Sequence, residues 1–174
     1  VPSRRLGRSL GIDLVPFKIC SYDCLYCQLG RTTHRTLERR AYVPVDGIPG
    51  QVAEALAAGA SPDWIALAGS GEPTLHDGIG RVIRAIGGVT AVPVAVITNG
   101  SLLWRPDVRA DLVRARLVIP SLDAGSERTF RRVNRPVPDL PFDRMVEGLV
   151  AFSCAFEGVI WLEVLLVAGV TDTE

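Results

Sequence analysis

Apolar, β-branched runs alternate with segments of helical period along nearly all of this 174-residue chain, and that alternation leaves few folds open. Strand-like stretches fall at residues 9–15, 63–70, 93–100, 116–124 and 159–170. Helix-like stretches fall between them at 48–59, 77–88, 107–115 and 142–156. The second helix shows the pattern plainly, with apolar Ile79, Val82, Ile83 and Ile86 one turn apart. The first starts near a proline and stops at Gly59, as helix ends commonly do. Near-continuous apolar strands separated by amphipathic helices predict a parallel sheet covered by helices on at least one face, an α/β fold. Right-handed crossovers would then bring every strand's C-terminal end to one edge, and in such sheets the chemistry sits in the loops at that edge. Here those loops read Cys20–Cys27, Gly-Ser-Gly-Glu-Pro, Thr-Asn-Gly, Ser-Leu-Asp-Ala and Val-Ala-Gly-Val-Thr-Asp.

Composition narrows the setting. With 48% apolar and 22% charged residues the chain is neither a disordered tail nor a low-complexity charged arm. At this size about two-thirds of the unfolded surface can be buried, enough for a real core. The formal net charge is zero, but residues 1–40 hold eight basic residues against three acidic ones. The four cysteines are too unevenly placed for a disulfide framework, since three lie within eight residues. No apolar run reaches the length of a membrane span, and the opening Val-Pro-Ser-Arg-Arg-Leu-Gly-Arg lacks the apolar stretch of a secretion signal. A soluble, cytoplasmic protein is expected, with no membrane partner. The chain also reads as one domain, or most of one, cut at both ends.

Cys20, Cys24 and Cys27 have the spacing C-x3-C-x2-C on one loop. Three thiolates so close in sequence can converge on one metal centre, and a cubane held by three cysteines keeps one iron open for catalysis or ligand binding. A structural zinc would want a fourth ligand. The candidates are weak: His34 lies seven residues downstream, and Cys154 sits in the middle of a helical apolar pattern and reads as a core residue. Unliganded buried cysteines are the third option.

The triplet, with an aromatic residue just before its last cysteine, resembles the signature of the radical S-adenosylmethionine (radical SAM) superfamily. Gly69-Ser70-Gly71-Glu72-Pro73 after the second strand is similar to that family's Gly-Gly-Glu-Pro motif. Thr98-Asn99-Gly100 and Ser121-Leu122-Asp123 stand where members contact the cofactor. Taken singly, each of these is an ordinary turn or cap signal; their joint register behind the cysteine loop is what makes the resemblance specific. It implies a partial, TIM-like (β/α)6 barrel, here ending after about five strands. It implies that residues 1–174 form the radical SAM core domain, with a sixth unit and any C-terminal region beyond Glu174. It also implies that Cys20, Cys24 and Cys27 ligate a [4Fe-4S] cluster whose fourth iron is chelated by S-adenosyl-L-methionine. Tyr26, Gly69, Ser70, Gly71, Glu72, Asn99, Ser121 and Asp123 would then bind SAM: the glycines through close backbone approach, Glu72 at the ammonium, Ser121 and Asp123 at the ribose or methionine carboxylate, and Tyr26 near the adenine. Val167–Val170 is a looser match to the family's adenine-contacting strand. The implied activity is reductive cleavage of SAM to a 5′-deoxyadenosyl radical that abstracts hydrogen, with a flavodoxin or ferredoxin as reductant.

The amino-terminal Val1–Gly11, running into Cys-Ser-Tyr-Asp-Cys-Leu-Tyr-Cys-Gln, resembles a prokaryotic group classed beside the wyosine-type tRNA synthases. Those enzymes carry a further cysteine triplet upstream and a lysine that engages pyruvate; here no cysteine precedes Cys20, and Lys18 is the only lysine. Arg31, Arg35, Arg39 and Arg40 follow the cysteine loop, and Arg128, Arg131, Arg132 and Arg135 follow the Ser-Leu-Asp-Ala loop. They suit an anionic substrate such as a tRNA base or a phosphorylated metabolite, or else are solvated loop arginines. Two alternatives remain beside this reading: an activase that makes a glycyl radical on a protein partner, and a non-enzymatic zinc or iron–sulfur module.

Overall fold

In the computed structural model, residues 2–3 and 5–172 are described. Among the described residues a six-stranded sheet forms the centre. In spatial order its strands are β1 (Pro2–Ser3), β2 (Gly7–Ile12), β5 (Trp64–Leu67), β6 (Val94–Thr98), β7 (Leu117–Pro120) and β8 (Val159–Ile160). From β2 onward every pairing is parallel; β1 alone runs antiparallel, folding back on β2 in a short hairpin that alternation did not reveal. The pair β3 (Ile19–Cys20) and β4 (His34–Arg35) brackets the cysteine loop in a two-stranded ladder of its own. Among the described residues the sheet does not close into a barrel.

The intervening helices are α1 (Ile48–Ala57), α2 (Ile79–Gly87), α3 (Pro106–Leu112), α4 (Glu127–Val133) and α5 (Phe142–Ala155). Local chemistry sets their ends. Helix α1 carries a proline in its first turn, and Gly59 follows it at φ +95°. The Gly59 amide bonds to the Leu56 carbonyl and the Ala60 amide to the Ala55 carbonyl, the paired closure that a left-handed glycine permits at a helix end. Helix α4, absent from the sequence expectation, is only seven residues long; Ser126 caps it by accepting the Thr129 amide at 3.3 Å.

Alternation along the strands separates two apolar layers. Ile65, Leu67, Val94, Val96 and Val118 point to the helix-covered face, where they meet Ile79, Val82, Ile83 and Ile86 of α2 and Val108 and Leu112 of α3. Ala66, Ala95, Leu117 and Ile119 point the other way and pack with Leu6 from the hairpin. A third cluster, Tyr22, Phe130, Val137, Leu140 and Met145, joins the cysteine loop to α4 and α5. The last strand is much shorter than the expected 159–170. Beyond Ile160 the chain stays alongside β7 through a single bridge of Glu163 to Ser121, and most of residues 161–166 are solvent-exposed.

Candidate active site

The C-terminal ends of β2, β5, β6 and β7 lie side by side, so the loops after them share one edge. The cysteine loop is laid across that edge and held from two sides. On one side, Lys18 occupies the left-handed region at φ +61°; its amide donates to the Ser70 carbonyl at 2.7 Å, and its carbonyl accepts the Thr33 and His34 amides. The Glu72 amide donates to the Ile19 carbonyl at 3.1 Å, and a Cβ on Gly71 would run into that same carbonyl. The bare α-carbon of Gly71 therefore serves a backbone approach within the chain. On the other side, the end of α4 and the segment after it pair with the loop: the Leu25 amide bonds to the Val133 carbonyl at 2.8 Å, and the Val137 amide to the Ser21 carbonyl at 3.0 Å. Tyr22 stands edge-on to Phe130 beneath.

Each of the three sulfurs receives one side-chain N–H donor, and each of these donors comes from a different part of the chain. Lys18 Nζ lies 3.0 Å from Cys27 Sγ, Asn99 Nδ2 lies 3.4 Å from Cys20 Sγ, and Asn134 Nδ2 lies 3.7 Å from Cys24 Sγ. Burial, aided by the Glu72 carboxylate, pushes the Cys20 thiol up to about 12; burial likewise pushes Cys24 up to about 11. Thiolates here need positive charge beside them, which a bound metal group supplies while displacing the protons. Among the described residues no group of three Cys, His, Asp or Glu side chains is arranged to hold a single metal ion.

The strand-end motifs are cross-tied. Glu72 is buried, and its Oε1 accepts the Thr74 amide and hydroxyl and the Thr98 hydroxyl, while Oε2 accepts the Asn99 amide at 2.7 Å. Burial raises this carboxyl above its ordinary value although four donors act to hold it down. Oε2, with a single protein donor, keeps acceptor capacity. Asn99 also donates to Ser21 Oγ at 2.8 Å, and Ser21 in turn bonds Ser101 at 2.6 Å. Asp123 is shared among three elements: Oδ2 accepts the Tyr26 hydroxyl and Asn134 Nδ2, and Oδ1 accepts the Leu165 amide at 2.9 Å. Burial and the neighbouring Cys24 and Asp123 charges hold the Tyr26 phenol protonated, well above its ordinary value. Gly69, at φ +147°, faces the Asp13 carboxylate, which accepts the Ser70 amide at 2.8 Å.

Tyr26, Cys27, Gln28, Ser121 and Asp123 line a cavity of about 580 Å³, flanked by an ion pair of Arg5 and Glu163 at 2.7 Å. A second hollow of about 490 Å³ opens on the other side of Asp123, between Arg128 and Thr129 of α4 and the Val170-Thr171 turn. Both volumes suit a nucleoside-sized ligand. Tyr26, Ser121 and Asp123 thus meet at one wall, Glu72 and Asn99 stand behind the sulfurs, and Gly69 and Ser70 brace the loop's start. Lys18, Ser21 and Asn134 are site residues that the motifs did not point to; the rarity of lysine was the one local signal. Two sequence expectations are corrected. Cys154 is exposed, because α5 buries Met145, Gly148 and Phe152 and position 154 falls off that stripe. Arg39 is not free to meet a ligand: it is buried against Asp107 (2.7 Å), Asp111 (2.5 Å) and the Thr74 carbonyl. No helix among the described residues is long and apolar enough to cross a membrane.

Three thiols, each with a side-chain N–H donor, and a polar cavity thus lie together at the C-terminal edge of the parallel strands, the edge where α/β enzymes of this architecture place their chemistry. The chain belongs to the radical SAM superfamily, whose profile it matches over residues 14–174. It is 47% identical over its full length to a Brachyspira hyodysenteriae protein named GTPase Obg, of which it spans 26%. It is 39% identical, again over its full length, to a UPF0026 protein of Methanocaldococcus jannaschii, of which it spans 54%. The chain therefore spans about half or less of these relatives. In fold it is similar to TYW1 with a lysine–pyruvate adduct bound (TM-score 0.63, 16% identity, 97% of this chain and 59% of that one). It is also similar to anSMEcpe with bound AdoMet (TM-score 0.64, 18% identity, 88% and 42%). SAM-dependent radical chemistry is the family's general activity, and SAM with an iron–sulfur cluster its cofactor set.

Proposed function

We propose that Cys20, Cys24 and Cys27 hold a [4Fe-4S] cluster, with SAM seated between it and the Tyr26–Ser121–Asp123 wall. The observation that carries this reading is the set of three separate side-chain N–H donors, one on each sulfur, beside a cavity of about 580 Å³. When bound, such a cluster and SAM supply one-electron cleavage of the sulfonium and a 5′-deoxyadenosyl radical for hydrogen abstraction. The chain's own residues orient and enclose. Asn99 links the Cys20 sulfur to the Glu72 carboxylate, tying the end of β6 to the cysteine loop. Oε2 of Glu72 faces this junction with acceptor capacity for an ammonium. Ser121 offers a hydroxyl at the cavity wall, and Asp123 fixes the Tyr26 ring over it through a proton that stays on the phenol. In this reading residues 1–174 are the core domain and a reduced flavodoxin or ferredoxin delivers the electron.

We further propose an anionic substrate, a tRNA base or a phosphorylated metabolite. Arg128 lines the smaller cavity; Arg5 flanks the larger one while paired to Glu163, and Arg31, 83% exposed beside the cysteine loop, is paired to Asp23. Pyruvate chemistry on a lysine is not part of the proposal, since Lys18, the only lysine of these residues, is turned onto Cys27. Anaerobic reconstitution followed by reduction in the presence of SAM tests the cofactor reading. Methionine and 5′-deoxyadenosine are expected, and loss of both in Cys24→Ala. A colourless protein holding one zinc and inert to SAM would sink it. Stimulation of 5′-deoxyadenosine formation by tRNA or by phosphorylated metabolites, against unphosphorylated pools, tests the substrate class.

A further inference from the structure

Lys18 is an unusual residue in an unusual place. It is 2% exposed, although lysine is almost never fully buried without a partner. Its backbone sits at φ +61°, a conformation that non-glycine residues avoid. Main-chain bonds to Ser70, Thr33 and His34 hold it there, and the result is that Nζ points 3.0 Å from Cys27 Sγ. The other two sulfurs receive neutral amide donors, from Asn99 and Asn134; Cys27 alone receives an ammonium. Cys27 is also the cysteine that reaches the wall of the larger cavity.

We infer that Lys18 is a positioning residue that sets the reduction potential of the cluster, by placing one fixed positive charge on the Cys27 corner. The inference rests on the cluster reading above. Reduction adds one electron and so one negative charge to the cluster. A cation held beside a ligand sulfur in a low-dielectric site favours that reduced form, and charge and hydrogen bonds at the sulfurs are recognised levers on such potentials. Lys18 thus brings the cluster within reach of a weaker electron donor. The asymmetry also has a structural consequence: the charge would act at the sulfur of the cysteine that lines the cavity rather than at the two sulfurs that take their donors from the α4 end and the β6 loop.

The test compares Lys18→Met with Lys18→Arg in the reconstituted holoprotein. Both replacements meet the same positive-φ backbone, so the comparison isolates the charge. The ratio of reduced to oxidised cluster is read by electron paramagnetic resonance in a redox titration without substrate. At a fixed poise Lys18→Met is expected to hold at least tenfold less reduced cluster, equivalent to a potential lower by about 59 mV for one electron. Lys18→Arg is expected to stay within about threefold of the parent by the same relation. A Met variant that titrates with the parent, or an Arg variant displaced as far as Met, overturns the inference. If Lys18→Met retains too little iron to titrate, iron retention against a chelator is read instead. Loss in Met but not in Arg supports the charge, and equal loss in both overturns it. A parent protein that takes up no iron defeats the cluster reading itself, which coinciding potentials would leave standing.

Discussion

The buried carboxylate of Glu72 accepts the Asn99 amide at 2.7 Å, joining the loop after β5 to the loop after β6 directly behind Cys20. The same side chain takes the Thr74 amide at 3.0 Å and the Thr74 and Thr98 hydroxyls at 2.6 Å each, so four donors converge on one group. Glu72→Gln presents an amide where only donors point, leaving at least one buried donor unpaired. The expected loss is about 1–3 kcal/mol, a fall in Tm of roughly 2–4 °C per kcal/mol at this size. Thermal unfolding of the metal-free protein measures it. A variant as stable as the parent would mean that the network contributes little.

Two glycines should answer the same substitution in opposite directions. A methyl on Gly71 meets the Ile19 carbonyl, which is backbone and already bonded to the Glu72 amide, so Gly71→Ala must displace the start of the cysteine loop. A cost of about 2–4 kcal/mol is expected, in the range of severe overpacking, with reduced iron uptake on reconstitution. Gly50 lies inside α1 with open space where a Cβ would stand. Gly50→Ala should stabilise by about 0.5–1 kcal/mol. Denaturant unfolding of the pair checks both signs.

The parallel strands were readable because each is a run of apolar residues closed by a glycine or polar turn, and Ile65, Leu67, Val94 and Val96 keep to that rule. The motif residues were readable because they cluster at strand ends. What escaped the sequence depends on partners far along the chain. Asn134 serves Cys24 from 110 positions away and Lys18 acts through a strained backbone, and neither leaves a periodic trace. Helix α4 is too short, and too crowded with Arg128, Arg131 and Arg132, to show a stripe. The apolar run after Val159 promised a long strand, yet only Val159–Ile160 pairs regularly. Further on, the Leu165 amide is taken by the Asp123 side chain in place of a ladder partner.

Asn134 carries the next prediction. It is 3% exposed, and its one Nδ2 reaches Asp123 Oδ2 (3.0 Å), the Tyr26 hydroxyl (3.3 Å) and Cys24 Sγ (3.7 Å). Asn134→Asp changes almost no volume but sets a second carboxylate against Asp123. A destabilisation of about 2–4 kcal/mol is expected from the buried, unpaired like charge. Asn134→Ala should cost less, about 1–2 kcal/mol, through loss of the donor alone. If the Asp variant unfolds no earlier than the Ala variant, charge is not what Asn134 controls.

Arg39 anchors the segment after the cysteine loop to α3, through Asp107 and Asp111. The Arg105 guanidinium holds the Asp107 carboxyl far below the ordinary carboxylate range; burial opposes it, and the Arg39 guanidinium adds to the lowering. A folded-state value below the unfolded one means that Asp107 stabilises the native chain above about pH 4, where the unfolded group is already ionised. The contribution is lost as pH falls further toward the folded value. The Asp107 side chain is 48% exposed, so the effect is screened by solvent and salt and should be modest. Asp107→Asn is therefore expected to lower Tm near pH 7 and to converge on the parent in acid, giving a shallower fall of Tm below about pH 4. Raising the salt concentration should narrow the gap at neutral pH. Parallel Tm curves for the two proteins across the acid range would show that the Arg105 and Arg39 contacts of Asp107 do not couple to folding.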